Sequence, residues 1–451
     1  MTEEKRTKYT EIAQKHGDPW IWGIYFTLII ISIVESYSAS SRMISGGSVY
    51  APVIKQCAFL GLGAACVFVL HRWDYNNGKF LYLMIPGLAF VTVFTLIYVM
   101  AAGEVINGAQ RVMKLPGGVT LQPAELAKLS IVTVLSYILA KSQLNRDIST
   151  KGMIAAGAAV SLYGALMIRS GMTNTLLLMA ISLTMLVIGG AKRKKIAMLF
   201  GAYIIVGGAF FLIKHHNDNT DSVVAAGQAE LVAHAPTDSV ARASADDAPT
   251  ATFGRSATWV NRLKAWWYSD SLVYRPITNK NQQEMFSRMA QAHGGIKGVG
   301  IGSSRECSRL PLAFSDYIYS IIIEETGFIG GVLLLVLYLW LLARAAMIVQ
   351  RCTRVLPSLL IIGMASFITL QALFHMAINV GVFPVSGQPL PMISVGGTSI
   401  VVISIAFGVM LSVSRTVANY NNKNNKADEG ILPDGLDAVN PTQILPKNVW
   451  K

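Results

Sequence analysis

Residues Tyr317–Ile348 read YIYSIIIEETGFIGGVLLLVLYLWLLARAAMI, a run whose only charged residues are Glu324, Glu325 and Arg344. About 20 apolar residues, rising ~1.5 Å each, are enough to cross the ~30 Å hydrocarbon core of a bilayer. In that solvent every backbone N–H and C=O must find its partner within the segment, so the run is a transmembrane helix. Similar runs recur on both sides of it, near 20–38, 52–70, 80–101, 123–140, 152–168, 172–190, 196–213, 357–382 and 392–413. The sequence therefore predicts an all-α membrane protein with about ten transmembrane helices.

Composition agrees. Of 451 residues, 53% are hydrophobic and only 14% charged, against roughly 25% charged in a soluble domain. The formal charge of +13 does not point to nucleic acid, because the cations lie in short loops between apolar runs, where they set orientation. Lys5, Arg6, Lys8 and Lys15, then Lys141, Arg146 and Lys151, then Lys192 to Lys195, then Arg344, Arg351 and Arg354 all fall on one side of a ten-span chain. Segment 383–391, on the other side, has no Lys or Arg. Both termini are thus expected in the cytoplasm. Residues 1–19 are polar and no cleavage context follows the run from Trp20, which reads as the first anchor of a multi-pass inner-membrane protein. Cys57, Cys66, Cys307 and Cys352 form neither a CxxC nor a Cys/His cluster, so no disulfide framework or zinc site is suggested.

Between the seven runs of 20–213 and the three of 317–415 lies a large outward-facing loop, 214–316. Its part 216–252 is rich in Ala, Asp, Ser and Thr, lacks aromatic residues and reads as a flexible insertion. The polar tail 416–451 is expected to be a cytoplasmic end.

Four places carry polar chemistry. In Leu310-Pro311-Leu312-Ala313-Phe314-Ser315-Asp316, the carboxylate of Asp316 stands where the loop meets the eighth span. Partial desolvation there favours a general base, while an N-cap for the following helix is the bland alternative. Glu324, about two turns on, is expected some 12 Å deeper, as a polar partner for another span. Near the fourth span, Asn107–Arg111 and Gln122–Lys128 place Glu125 and Lys128 at i,i+3, able to neutralise each other. In the loop, Arg255, Arg262, Lys264, Lys297, Arg305 and Arg309 mix with Trp259, Trp266, Trp267 and Tyr268, a combination suited to an anionic headgroup or simply to water. The run Gly294–Gly302 reads as added backbone flexibility. Finally, Gln388–Ser399, containing Ser394 and preceded by His375 and Asn379, suggests irregular backbone at membrane depth, tolerated only when buried in protein or lining a cavity.

Together these segments resemble the SEDS family (shape, elongation, division, sporulation), whose division member is FtsW and elongation member RodA. Asn107–Arg111 is similar to the family's NGARRW, Gln122–Lys128 to QPSEFAK, Gly294–Gly302 with Leu310–Asp316 and Glu324–Gly327 to its glycine-rich and acidic outer-loop pattern, and Pro389–Ser399 to LPLISYGGSS. The similarity runs in order from about 18 to 415, and Asp18-Pro19-Trp20 looks more like FtsW than RodA. The chain departs from the pattern at Leu312–Ser315, at Val395 in place of Tyr, and at Arg169–Asn174.

The resemblance implies a peptidoglycan glycosyltransferase that polymerises lipid II, a polyprenyl-linked glycan precursor, working with a class B penicillin-binding protein (a transpeptidase) and other division proteins. It implies Asp316 as catalytic base, and a divalent metal ion, Mg or Mn. Arg111, Lys128 and Arg309 are candidates for substrate phosphates, with Glu125, Lys297, Glu324 and Ser394 as further substrate-binding residues. The competing readings are a lipid II flippase and a polytopic scaffold.

Overall fold

A computed structural model describes residues 11–42, 50–73, 78–106, 109–114, 120–144, 147–168, 171–203, 205, 266, 277, 281–310 and 313–429. Its labelled helices are α1 Pro19–Arg42, α2 Tyr50–Leu70, α3 Gly78–Ala102, α4 Pro123–Lys141, α5 Thr150–Ile168, α6 Met172–Ile188, α7 Gln282–Gly294, α8 Ile318–Val349, α9 Val355–Asn379 and α10 Gly397–Glu429. Eight of these are long and apolar enough to cross a membrane, and Met172–Ile188 is a shorter apolar helix. With that one, nine of the ten expected spans are helices. The remaining one is helical over 193–203, within a separate unit Lys192–Ala265, and otherwise lies outside the described residues, as does the insertion 216–252. Short antiparallel strands join the helices: β1 Glu104–Ile106, β2 Ala109–Lys114 and β3 Thr120–Leu121 in one sheet, β4 Gln143–Leu144 with β5 Asp147–Ile148 in another.

α9 is the central span, 83% buried over its most apolar window, whereas α2 is 22% buried and faces outward. Cys307 and Cys352 are buried, and burial pushes the Cys352 thiol up to about 11, which keeps it protonated and unreactive.

Two polar contacts clamp α1 to α8. At one end Arg344 donates to both Asp18 carboxylate oxygens, at 2.6 to 3.1 Å. At the other, Ser38 donates to Glu325. Between them run the 20 residues Pro19–Ser38, ~30 Å of helix, so the clamps stand one hydrocarbon thickness apart. Arg344→Met would take the guanidinium counterion from the Asp18 carboxylate, whose side chain is 6% exposed. A drop of about 3 kcal/mol is expected, the low end for breaking a buried pair, read as a lower Tm in detergent. Adding Asp18→Asn should recover part of it; an unchanged Tm in the single variant would deny the clamp a role.

The eighth span is not the straight helix that the sequence suggests. Gly327 breaks α8 with φ 76° and ψ −178°. Tyr319 Oη donates to Gly331 O at 3.2 Å although the two are 12 residues apart, a separation of ~18 Å in an unbroken helix. The short arm 318–326 therefore folds back on the long arm 328–349, which alone has the length of a membrane span at ~33 Å. Glu324 belongs to the short arm and is not two turns deeper in the bilayer.

The Gly-rich run causes and stabilises this elbow. Val299 N donates to Glu324 O at 3.0 Å and Gly300 N to Glu325 O at 2.9 Å, while Phe328 N donates to Gly295 O at 2.9 Å. Those backbone groups would otherwise be orphaned where the helix opens. A Cβ on Gly298 would lie 2.2 Å from Glu325 O, and one on Gly327 2.2 Å from Ile296 O. These glycines permit two backbones to touch. Flexibility is not their role.

Candidate active site

Asp316 sits at the start of the short arm, and its backbone is held from three sides. Val395 N donates to Phe314 O at 3.0 Å, Ser394 Oγ to Ser315 O at 2.6 Å, and Asn379 Nδ2 to Asp316 O at 3.1 Å. The first two donors come from the loop between α9 and α10, the third from the end of α9. Ser394 Oγ also accepts from Leu390 N at 2.7 Å, and Met392 has φ 67°, so this loop has the irregular, buried backbone its Pro and Gly content predicts. Ser394, expected to touch substrate, fixes the segment that carries Asp316.

Asp316 does not cap α8. The N-cap residue is Tyr317, which makes no side-chain cap bond. The cap comes from the neighbouring helix: Asn379 Oδ1 accepts from Ser320 N at 3.3 Å and Ser320 Oγ at 3.0 Å. An N-cap side chain normally accepts from this position of its own helix. The half-buried Asp316 carboxylate is relieved of that duty, and its Oδ1 accepts from Ser315 Oγ at 3.0 Å. Helix α7 completes the support, since Gln291 Nε2 donates to Asn379 O at 2.7 Å and to Ser320 Oγ at 3.0 Å.

Along α9, Gln371, His375 and Asn379 are spaced four apart and share one face. Lys128 Nζ donates to Glu125 Oε1 and to Gln371 Oε1, both at 2.7 Å. His375 Nδ1 meets Gln388 O at 2.7 Å, and Gln388 Nε2 donates to Asn174 Oδ1 at 2.9 Å. All of these side chains are buried. The Glu125–Lys128 pair thus forms as its spacing predicts, and lies ~12 Å along α9 from the Asp316 support. Among the described residues, Glu125 Oε2, His375 Nε2 and Gln388 Oε1 are buried without a hydrogen-bond partner, an arrangement that calls for further polar atoms.

A family model for the FtsW, RodA and SpoVE proteins, described as cell cycle proteins, matches residues 19–226 and 249–419. The chain belongs to the FtsW/RodA/SpoVE family. It is 25% identical to stage V sporulation protein E of Bacillus subtilis, over 90% of this chain and 99% of that one. It is 27% identical to a probable peptidoglycan glycosyltransferase FtsW of Trichlorobacter lovleyi, over 86% of this chain and 90% of the relative. Among solved structures it shares its fold with a chain of a peptidoglycan synthase complex that coordinates polymerization and crosslinking (TM-score 0.61, 22% identity, covering 88% of this chain and 98% of that one). It also matches the rod shape determining protein RodA of Thermus thermophilus (TM-score 0.55, 20% identity, covering 88% and 95%).

In this FtsW/RodA/SpoVE chain the remaining candidates are dispersed. Glu324 is fully buried and accepts from Ser304 Oγ at 2.5 Å and Arg305 N at 2.9 Å. It organises the outer loop, and is not the partner for another span that its position suggested. Arg309 is exposed and lies 3.5 Å from Glu306 Oε1, and Lys297 is exposed on the Gly-rich loop. Arg111 lies on β2, and its side chain falls outside the described residues. No group of three or more His, Cys, Asp or Glu among the described residues could hold a metal ion, so the residues described do not fit a protein-caged magnesium or manganese. The sequence reading left Asn379 and Gln371 without a role; the four-residue spacing of polar groups inside an apolar span was the signal available.

Proposed function

We propose that this chain polymerises lipid II into peptidoglycan glycan strands at the outer face of the cytoplasmic membrane, during cell division, with Asp316 as general base. The observation that carries the reading is a half-buried carboxylate whose segment, Phe314–Asp316, is pinned by three donors at the rim of a buried polar chain. Family membership supports the substrate class. Asp316 would take the proton of the acceptor sugar hydroxyl while the diphosphate leaves the donor carbon. Lys128, held by Glu125 and Gln371, supplies the buried positive charge nearest that line, and Arg111, Lys297 and Arg309 are cations for the departing phosphates. A divalent ion would be held by the diphosphate itself.

Both termini are proposed to be cytoplasmic. In support, Asn419 Nδ2 donates to Gln14 O at 3.2 Å, and Arg354 of the cationic turn between α8 and α9 lies over the ring of Tyr420. A class B penicillin-binding protein is the proposed partner. The test is incubation of purified protein with labelled lipid II, with and without that partner. Glycan chains are expected; lipid movement across the bilayer without polymer would favour a flippase, and neither would favour a scaffold.

Asn379→Ala keeps every group of the proposed chemistry but removes the support of Asp316. A fall in kcat of about 10–100-fold with little change in KM is expected, the size of loss that a misplacement of ~1 Å produces. A changed KM with normal kcat would contradict this role.

A further inference from the structure

The outer loop carries a feature that its expected solvation does not explain. Ile296 is 70% exposed and Ile301 62%, a large apolar area for water to cover. Their backbone is fixed to the elbow, and Ile329 N donates to Ile296 O at 3.4 Å. Phe328 and Ile329, the first residues of the membrane-crossing arm, are 63% and 52% exposed on the outside of the bundle, where lipid meets a transmembrane helix. The height of the elbow is given by Glu325, bonded to Ser38 at the end of the α1 span. The two isoleucines therefore continue the lipid-facing surface of α8 at the level where hydrocarbon ends.

We propose that Gly295–Gly302 is an interfacial anchor that dips Ile296 and Ile301 into the adjacent phospholipid leaflet. Lys297, exposed between them, reaches back to the phosphate layer, as long cationic side chains do at this boundary. Phospholipid is the occupant because the patch is continuous with a surface that lipid already covers and carries the complementary charge. The same loop braces the elbow from which the short arm leads to Asp316, so the anchor also sets the height of that carboxylate relative to the headgroups. This last clause rests on the catalytic reading above.

The test uses the full chain in phosphatidylglycerol/phosphatidylethanolamine nanodiscs. Ile296→Cys and Ile301→Cys, each in a Cys57→Ser/Cys66→Ser background, carry an environment-sensitive nitrobenzoxadiazole label. Leu333→Cys, 63% exposed on the long arm, serves as the deep control. Labels at 296 and 301 should emit as in a membrane interface and be quenched more by lipids bearing a nitroxide near the headgroup than by lipids bearing it near the chain end, with the opposite order at 333. Water-like emission at both loop positions, unaffected by either lipid, overturns the anchor. Ile296→Asp/Ile301→Asp should lower polymer yield severalfold in nanodiscs but not in detergent. A wild-type chain that makes no polymer sinks the catalytic reading and leaves the quenching result standing.

Discussion

Asp316→Asn should reduce glycan polymer formation by about 10²–10⁴-fold, the contribution typical of a positioned general base, with no loss of thermal stability. The stability half of the expectation follows from the bonding. Contacts that hold this segment run through the carbonyls of Phe314, Ser315 and Asp316 and through the Asn379 cap, and the amide leaves these in place. Asn also keeps an oxygen able to accept from Ser315 Oγ. What it loses is the negative charge and with it the basicity. Polymer assays on labelled lipid II and thermal unfolding, run side by side, check both halves. Wild-type yield from the Asn variant would remove Asp316 from the chemistry, and a large fall in Tm would recast it as a structural residue.

The largest stability effect is expected from Gly327→Ala. The backbone there lies at φ 76° and ψ −178°, a region that essentially only glycine occupies and that costs about 1–3 kcal/mol otherwise. The added Cβ would stand 2.2 Å from Ile296 O, a backbone atom that can yield only by lifting the Gly-rich loop off the elbow. The bonds from Val299 N, Gly300 N and Phe328 N would then weaken, at about 0.5–1.5 kcal/mol each. A total of about 2.5–7.5 kcal/mol, with loss of activity although no catalytic group has changed, is the expected outcome. Gly302→Ala separates the two causes: its φ is 76° but nothing lies within 4 Å of its Cβ, so only about 1–2 kcal/mol of backbone strain should show. Equal stability of the two variants would mean that the loop contact contributes nothing.

Much of this was legible before any coordinates. The nine spans, the pairing of Glu125 with Lys128 and the irregular 388–399 loop follow from rules that act over a few residues: backbone satisfaction in lipid, i,i+3 geometry, and the backbone preferences of Pro and Gly. The elbow was not legible, because Tyr317–Ile348 is equally apolar on both sides of Gly327 and glycine is common in membrane helices. Only the docking of Gly295–Gly302 decides that the helix opens there. Asn379 was noticed, but its role depends on Ser320 arriving from a helix 59 residues away in sequence.

What the sequence by itself determined is therefore the solvent, the number of described crossings and the residue types at the site, since hydrophobicity and local hydrogen bonding are written residue by residue. The tertiary structure alone decided that Asn379 caps the start of α8, that Ser394 holds the backbone of Ser315, that Glu324 bonds the outer loop, and that Gly327 breaks α8. Each of these turns on which distant backbone donor or acceptor fills a vacancy, and chain order does not specify that.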